Sequence, residues 1–308
     1  MASFRSFRGR PRPAASLVEA LVAIGIIGLL LALLLPAVQR IREAAAKLQC
    51  QSNLRQIGIA LHHYHATHGR LPPGPIRSRG NDPNWLLIWH ALLLPYVEQD
   101  ALWAQTEAAC RADPRPYMNP PHVGLATVIP VYGCPADSRL SRPLTDSDGV
   151  TATYTSYLGI SGAFLHPDGL FGHGNMGPGL RLTDATDGLS NTLLVGERPP
   201  PDTLQAGQWY SRMWPLSNRF GQLRGPEGHM RVVQAASGPD PCISGTGFQF
   251  GPGRTENPCD RYHFWSLHPG GANFLFGDGS IRFLQYSARP LLPALATRNG
   301  GEASLFPE

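Results

Sequence analysis

A chain of 308 residues with 42% hydrophobic side chains carries enough apolar mass for a substantial core, which excludes disorder along its whole length. The formal charge of +4 resides in Arg5, Arg8, Arg10 and Arg12, and the remainder balances 22 basic groups against 22 acidic ones, so no basic face is offered to DNA or RNA. Against average usage of roughly 7% Gly and 5% Pro, the 34 Gly and 30 Pro are many and lie mostly beyond residue 69, where turns and loops are expected.

Residues 1–14 form a basic stretch with no acidic residue. From Leu17 to Val38 the chain is apolar apart from Glu19, and these 22 residues make a helix of about 33 Å, enough for a hydrocarbon core of roughly 30 Å. A cleaved secretory signal is the rival reading, but the run is long for one, no A-x-A site closes it, and helical sequence follows directly. The arginines predict a cytoplasmic N-terminus, a single pass through the cytoplasmic (inner) membrane and an extracytoplasmic C-terminal part. Glu19, near the cytoplasmic end, either reaches the headgroups or pairs with the terminal amine of a neighbouring subunit. Pro36 interrupts the helical hydrogen bonding and predicts a bend near the membrane exit.

Beyond Pro36, Val38, Ile41, Ala45 and Leu48, then Cys50, Leu54, Ile57, Leu61 and Tyr64, recur at three and four, which predicts an amphipathic helix facing a sheet and ending at Gly69 and Pro72-Pro73-Gly74. His62, His65 and His68 have a metal-like spacing, but no Cys, Asp or Glu stands among them, and imidazoles at a helix C-terminus are favourable dipole partners. The organisation expected is a leader at 1–14, a helix at 15–69 spanning the membrane at about 17–38, and an exported domain at 70–308.

In that domain short strand-like runs, Thr127–Tyr132, Thr153–Ile160 and Gly247–Phe250, predict an α+β, mostly antiparallel fold with long loops. Asp278-Gly279 reads as a two-residue type I′ turn pairing Phe276 with Ile281 and Phe274 with Phe283, all four on one core face. Cys242 and Cys259 lie in one Gly/Pro-rich segment and are candidates for a disulfide; the other three cysteines read equally well as buried thiols. Gly172-His173-Gly174-Asn175-Met176-Gly177 matches a dinucleotide-binding pattern, but neither a strand nor a helix frames it, so it reads as a loop. Ser266, His268 and Asp278 form a nominal triad without a nucleophile elbow, and His268 with Asp278 reads instead as a hydrogen-bonded tie across the hairpin. Asp184, Asp187 and Asn191 around Gly188 offer oxygen ligands for calcium, as do Asp146 and Asp148, but no EF-hand spacing is present and no cofactor is expected. Thr183 or Asp184 as the N-cap of a helix at Asn191–Val195 explains part of the first cluster.

Ala14-Ala15-Ser16-Leu17-Val18-Glu19, after arginines and before an apolar helix, resembles the leader of type IV prepilins and type II secretion pseudopilins. That resemblance implies a pilin-like fold, a prepilin peptidase cutting between Ala14 and Ala15, methylation of the new amine, and an assembly role for Glu19. The chain departs from the pattern in having Ala14 for Gly and Ala15 for Phe or Met. Segments Cys50–Gly74, Leu94–Gln99, Cys134–Asp137, Leu182–Arg198 and His268–Gly279 together resemble a family of prepilin-like proteins ending in His, nine residues, Asp-Gly. Here that ending is His268, Asp278 and Gly279. The positions of Cys50 and Cys134 within such segments imply a second pairing.

These readings predict a membrane-anchored structural subunit of a secretion or surface-filament system, without enzymatic chemistry, whose partners are the membrane, a prepilin peptidase and other pilin-like subunits. The alternative is an extracytoplasmic ligand-binding module, in which some of Trp85, Trp89, Trp103, Trp209, Trp214 and Trp265 stack on sugars.

Overall fold

The computed structural model describes residues 17–73, 82–117, 121–146, 149–163, 168–171, 179–204, 206–211, 229–234, 242 and 248–301. Ala14, Ala15, Asp148, Trp214 and the Gly172–Gly177 pattern lie outside the described residues. The chain divides into two compact units, residues 1–45 and 46–308. One helix, α1 (Leu17–His68), runs from the first unit into the second, with Pro36 inside it and no interruption.

In the first unit the apolar side chains of α1 are exposed, Leu17, Leu21, Leu30 and Leu35 among them. This part of α1 is long and apolar enough to cross a membrane. Val38, Ile41 and Leu48 are exposed as well, so the expected stripe does not begin until Cys50. Its phase explains why: the step from Leu48 to Cys50 is two residues, about 200° of helix, which breaks the three-and-four spacing.

In the second unit Cys50, Leu54, Ile57 and Leu61 are fully buried and cover one face of a five-stranded sheet. Gly69, at φ +70°, closes the helix by donating its N–H to His65 O at 2.7 Å. Two short helices follow, α2 (Trp89–Leu92) and α3 (Asp100–Ala112). The ribbon β1 (Leu144–Thr145) and β2 (Thr151–Ala152) precedes the sheet strands β3 (Tyr157–Ile160), β4 (Leu193–Glu197) and β5 (His229–Met230). A second ribbon, β6 (Val233–Gln234) with β7 (Phe248–Gln249), leads to β8 (Gly271–Phe276), β9 (Ile281–Gln285) and the short α4 (Leu292–Ala296). Sheet order is β5-β3-β4-β8-β9, antiparallel except for β5 on β3, so the arrangement is α+β with mostly antiparallel pairing.

Every residue of β3, β4 and β8 is buried, because both faces of the sheet are covered. Tyr157, Val195 and Leu275 join the α1 side, while Leu158, Phe264, Phe274, Phe276, Leu292 and Leu295 fill the other. The β4/β8 register shifts between Leu193 and Val195, and Leu194 and Val195 consequently both belong to the α1 side.

Three local expectations are corrected. Residues 130–132 of the supposed strand Thr127–Tyr132 form a 3-10 turn, because Pro130 opens it and Gly133 follows. The supposed helix at Asn191–Val195 is a 3-10 turn at Leu189–Asn191 running into strand β4, where tertiary pairing overrides the local pattern. The hairpin is one residue out of the expected register: Leu275 pairs with Ile281 and Phe274 with Arg282, and Phe276 N–H donates to Ser280 O at 2.9 Å. Gly277-Asp278-Gly279 is therefore a three-residue loop with Gly279 at φ +86°. A one-residue slip reverses faces, so Phe274 and Phe276 point away from α1 while Leu275, with Ile281, joins the α1 side.

Candidate functional site

Cys50, Cys134, Glu197 and His268 converge in the interior of the second unit. Their ligand-type atoms all lie within 4.8 Å of one another, and all four side chains are buried. Each arrives from a different element. Cys50 opens the buried stripe of α1, and Glu197 ends β4. Cys134 follows the Pro130 turn, held by its N–H donating to Ser156 Oγ (3.0 Å) and by Asn53 Nδ2 donating to Gly133 O (2.9 Å). His268 precedes β8 in a turn where its N–H donates to Ser266 Oγ (3.0 Å) and Ser266 Oγ donates to Gly271 O (2.7 Å).

Cys50 and Cys134 form a disulfide. His268 Nε2 lies 3.5 Å from Cys134 Sγ and 3.5 Å from Glu197 Oε1. Asn273 of β8 holds the Glu197 carboxylate by its backbone N–H (2.6 Å) and by Nδ2 (3.1 Å), while Gln51 Nε2 donates to Asn273 Oδ1 (3.0 Å). Beside the cluster, burial and then the Glu197 charge hold the Tyr157 phenol well above its ordinary range.

A second site lies at the end of α1. Tyr64, His68, Tyr96 and Trp103, with Asp82 and Glu107, line a cleft of about 390 Å³. Tyr64 stacks on His68 at 4.1 Å and meets Tyr96 edge-on at 5.8 Å. Burial first, then Tyr96 and Asp82, push the Tyr64 phenol up to about 12.

The other candidates are dispersed. Ser266, His268 and Asp278 do not form a triad: Ser266 Oγ is bound to Gly271 O, and Asp278 accepts from Ser280 N–H at 2.8 Å. His268 and Asp278 do not tie the hairpin either, since the six residues of β8, roughly 20 Å of strand, lie between them. Asp184 accepts from Arg181 N–H (2.8 Å), Asp187 from the N–H groups of Gly300 and Gly301, and Asn191 Nδ2 donates to Asp187 O (3.2 Å), so these groups hold loop backbone. Asp146 accepts from Val150 N–H at 2.9 Å. His65 accepts from Leu182 N–H at 3.2 Å. Cys242 and Cys259 form a second disulfide, and burial raises the free Cys110 thiol to about 12. Trp89, Trp209 and Trp265 are core; Trp103 lines the cleft.

A family model described as "Protein of unknown function (DUF1559)" matches residues 39–290. The chain belongs to this family. No curated protein and no solved structure matches it. The family match covers all four residues of the buried cluster. Glu197 is hard to single out in the sequence because Leu193–Gly196 makes it the end of an apolar run; the signal that marks it is that each cluster residue stands in a different segment of the family resemblance.

Proposed function

We propose that this protein is a membrane-anchored, exported pilin-like structural subunit of a secretion or surface-filament system, with no catalysis of its own. The observation that carries the reading is that one helix, Leu17–His68, supplies both an exposed apolar segment of spanning length and the buried stripe that covers the sheet. Two disulfides support an oxidising, extracytoplasmic location for the domain. Arg5, Arg8, Arg10 and Arg12 then keep the N-terminus in the cytoplasm, with the helix in the inner membrane. A prepilin peptidase cuts between Ala14 and Ala15, and Glu19 meets the new amine of a neighbouring pilin-like subunit.

The test is N-terminal sequencing of the membrane-extracted protein together with co-sedimentation of a Glu19→Ala variant. A chain starting at Ala15, and a variant that inserts normally but loses co-assembly with pilin-like subunits, are expected. A start beyond Val38 would mean an ordinary secretory signal.

The cleft favours a second reading, an extracytoplasmic ligand-binding module: Tyr64, Tyr96 and Trp103 offer ring faces beside the hydrogen-bonding groups of Asp82 and Glu107, a combination suited to sugars. A glycan screen with the full chain, repeated with Trp103→Ala, tests it. Binding that the substitution abolishes supports this reading.

A further inference from the structure

We propose that Cys50, Cys134, Glu197 and His268 form a zinc-type metal site that is open when the two cysteines are thiols and closed when they are joined. Metal and disulfide are alternative occupants of one place. The donor set is two sulfurs, one imidazole nitrogen and one carboxylate oxygen, and two soft sulfur ligands select zinc-like ions over magnesium or calcium.

Geometry carries the case. Around a tetrahedral zinc, with bonds of about 2.0 to 2.3 Å, neighbouring ligand atoms stand on the order of 3.3 to 3.8 Å apart. His268 Nε2 already stands 3.5 Å from Cys134 Sγ and 3.5 Å from Glu197 Oε1. For a nitrogen and an oxygen that spacing exceeds a normal hydrogen bond of 2.7 to about 3.2 Å, yet it fits two ligands of one ion. The carboxylate is oriented from outside by both N–H donors of Asn273, which Gln51 holds in turn, as the outer partners of metal ligands commonly are. A disulfide alone requires neither a buried carboxylate nor a buried imidazole, and burying them is costly.

The chemistry balances with a dithiol as reductant: the Cys50–Cys134 bond breaks, both sulfurs take protons, and the dithiol becomes its own disulfide. Binding of a divalent ion then releases those two protons, leaving two thiolates, the Nε2 lone pair of His268 and one Glu197 oxygen on the ion. Two thiolates and a carboxylate leave one net negative charge, toward which the Asn273 donors point.

The test uses the full chain, reduced in denaturant and refolded into detergent with Co²⁺ present, so that burial does not block entry. One Co²⁺ per chain is expected, with a thiolate-to-cobalt charge-transfer band and the visible bands of a tetrahedral ion. Cys134→Ser should lose the charge-transfer band or shrink it, Glu197→Gln and His268→Ala should weaken binding at least tenfold, and Asn273→Ala should weaken it about 10- to 100-fold. The Cys242→Ser/Cys259→Ser double variant should bind as the parent does. In a second measurement that needs no variant, zinc should shield Cys50 and Cys134 of the reduced chain from alkylation and leave Cys242 and Cys259 reactive. No cobalt uptake, an unchanged charge-transfer band in Cys134→Ser, or equal alkylation of Cys50 and Cys134 with and without zinc in enough denaturant for the metal-free chain to react would each overturn the proposal.

Discussion

Asn273 binds both oxygens of Glu197, its backbone N–H donating to Oε2 at 2.6 Å and its side-chain amide to Oε1 at 3.1 Å, in the interior where β4 meets β8. Asn273→Ala keeps the first bond and removes the second, and it strips Gln51 of its acceptor. A lost hydrogen bond to a buried charged group costs about 1.5 to 3 kcal/mol. Thermal unfolding should show that loss, and Glu197→Gln in the same chain should make the two effects less than additive.

Gly279 sits at φ +86° in the three-residue loop between β8 and β9, where a Cβ would meet only His62 Nε2, at an ordinary contact distance of 3.9 Å. Backbone conformation is therefore the main limit on what this position accepts. Gly279→Val should destabilise the domain by about 1 to 3 kcal/mol and Gly279→Asn by clearly less, because Asn enters the left-handed region readily. Equal melting temperatures for the two variants would refute this assignment.

His90 is fully buried, donates from Nε2 to Tyr157 O at 3.0 Å, and is pulled by burial down to about 3 from an ordinary 6.5. The folded state keeps it neutral while the unfolded chain takes up a proton below pH 6.5. Its contribution to stability is therefore complete above pH 6.5 and is lost as pH falls from 6.5 toward about 3, with a slope of at most about 1.4 kcal/mol per pH unit. Denaturant titrations between pH 7 and 5 should show this fall, and His90→Gln should flatten it.

The two disulfides close loops of different length, 84 residues apart for Cys50–Cys134 and 17 for Cys242–Cys259. Chain entropy assigns about 4 to 5 kcal/mol to the first and about 3 kcal/mol to the second. The Cys50→Ala/Cys134→Ala chain should therefore unfold at lower denaturant concentration than Cys242→Ala/Cys259→Ala. The reverse order would show that native-state packing outweighs loop length.

The α+β class, the helix through His68 and the end of that helix at Gly69 were legible because they rest on local signals: apolar spacing, a C-terminal glycine and short strand-like runs. The hairpin was legible in place but not in register, since Asp278-Gly279 suits a two-residue loop as well as a three-residue one, and only the pairing of β8 against β4 decides between them. The start of the stripe is not legible in α1, because exposed Val38, Ile41 and Leu48 share the spacing of buried residues without sharing their phase. Of the buried cluster, Cys50, Cys134 and His268 drew attention by residue type. Glu197 did not, because its meaning depends on three partners 63 to 147 positions away in the chain.

Leu275, the fifth of the six residues of β8, lies directly over Gly58 of α1, where even a Cβ would stand 3.0 Å from its methyl group. The cover for the early helix is thus written more than two hundred residues later in the chain. Contacts of such long range slow folding, because the entropy of closing a long loop is lost before the contact rewards it. Until Gly271–Gln285 has been delivered, the stripe of Cys50, Leu54, Ile57 and Leu61 lacks part of its lid, and a chain interrupted before that point presents adhesive apolar surface to its surroundings.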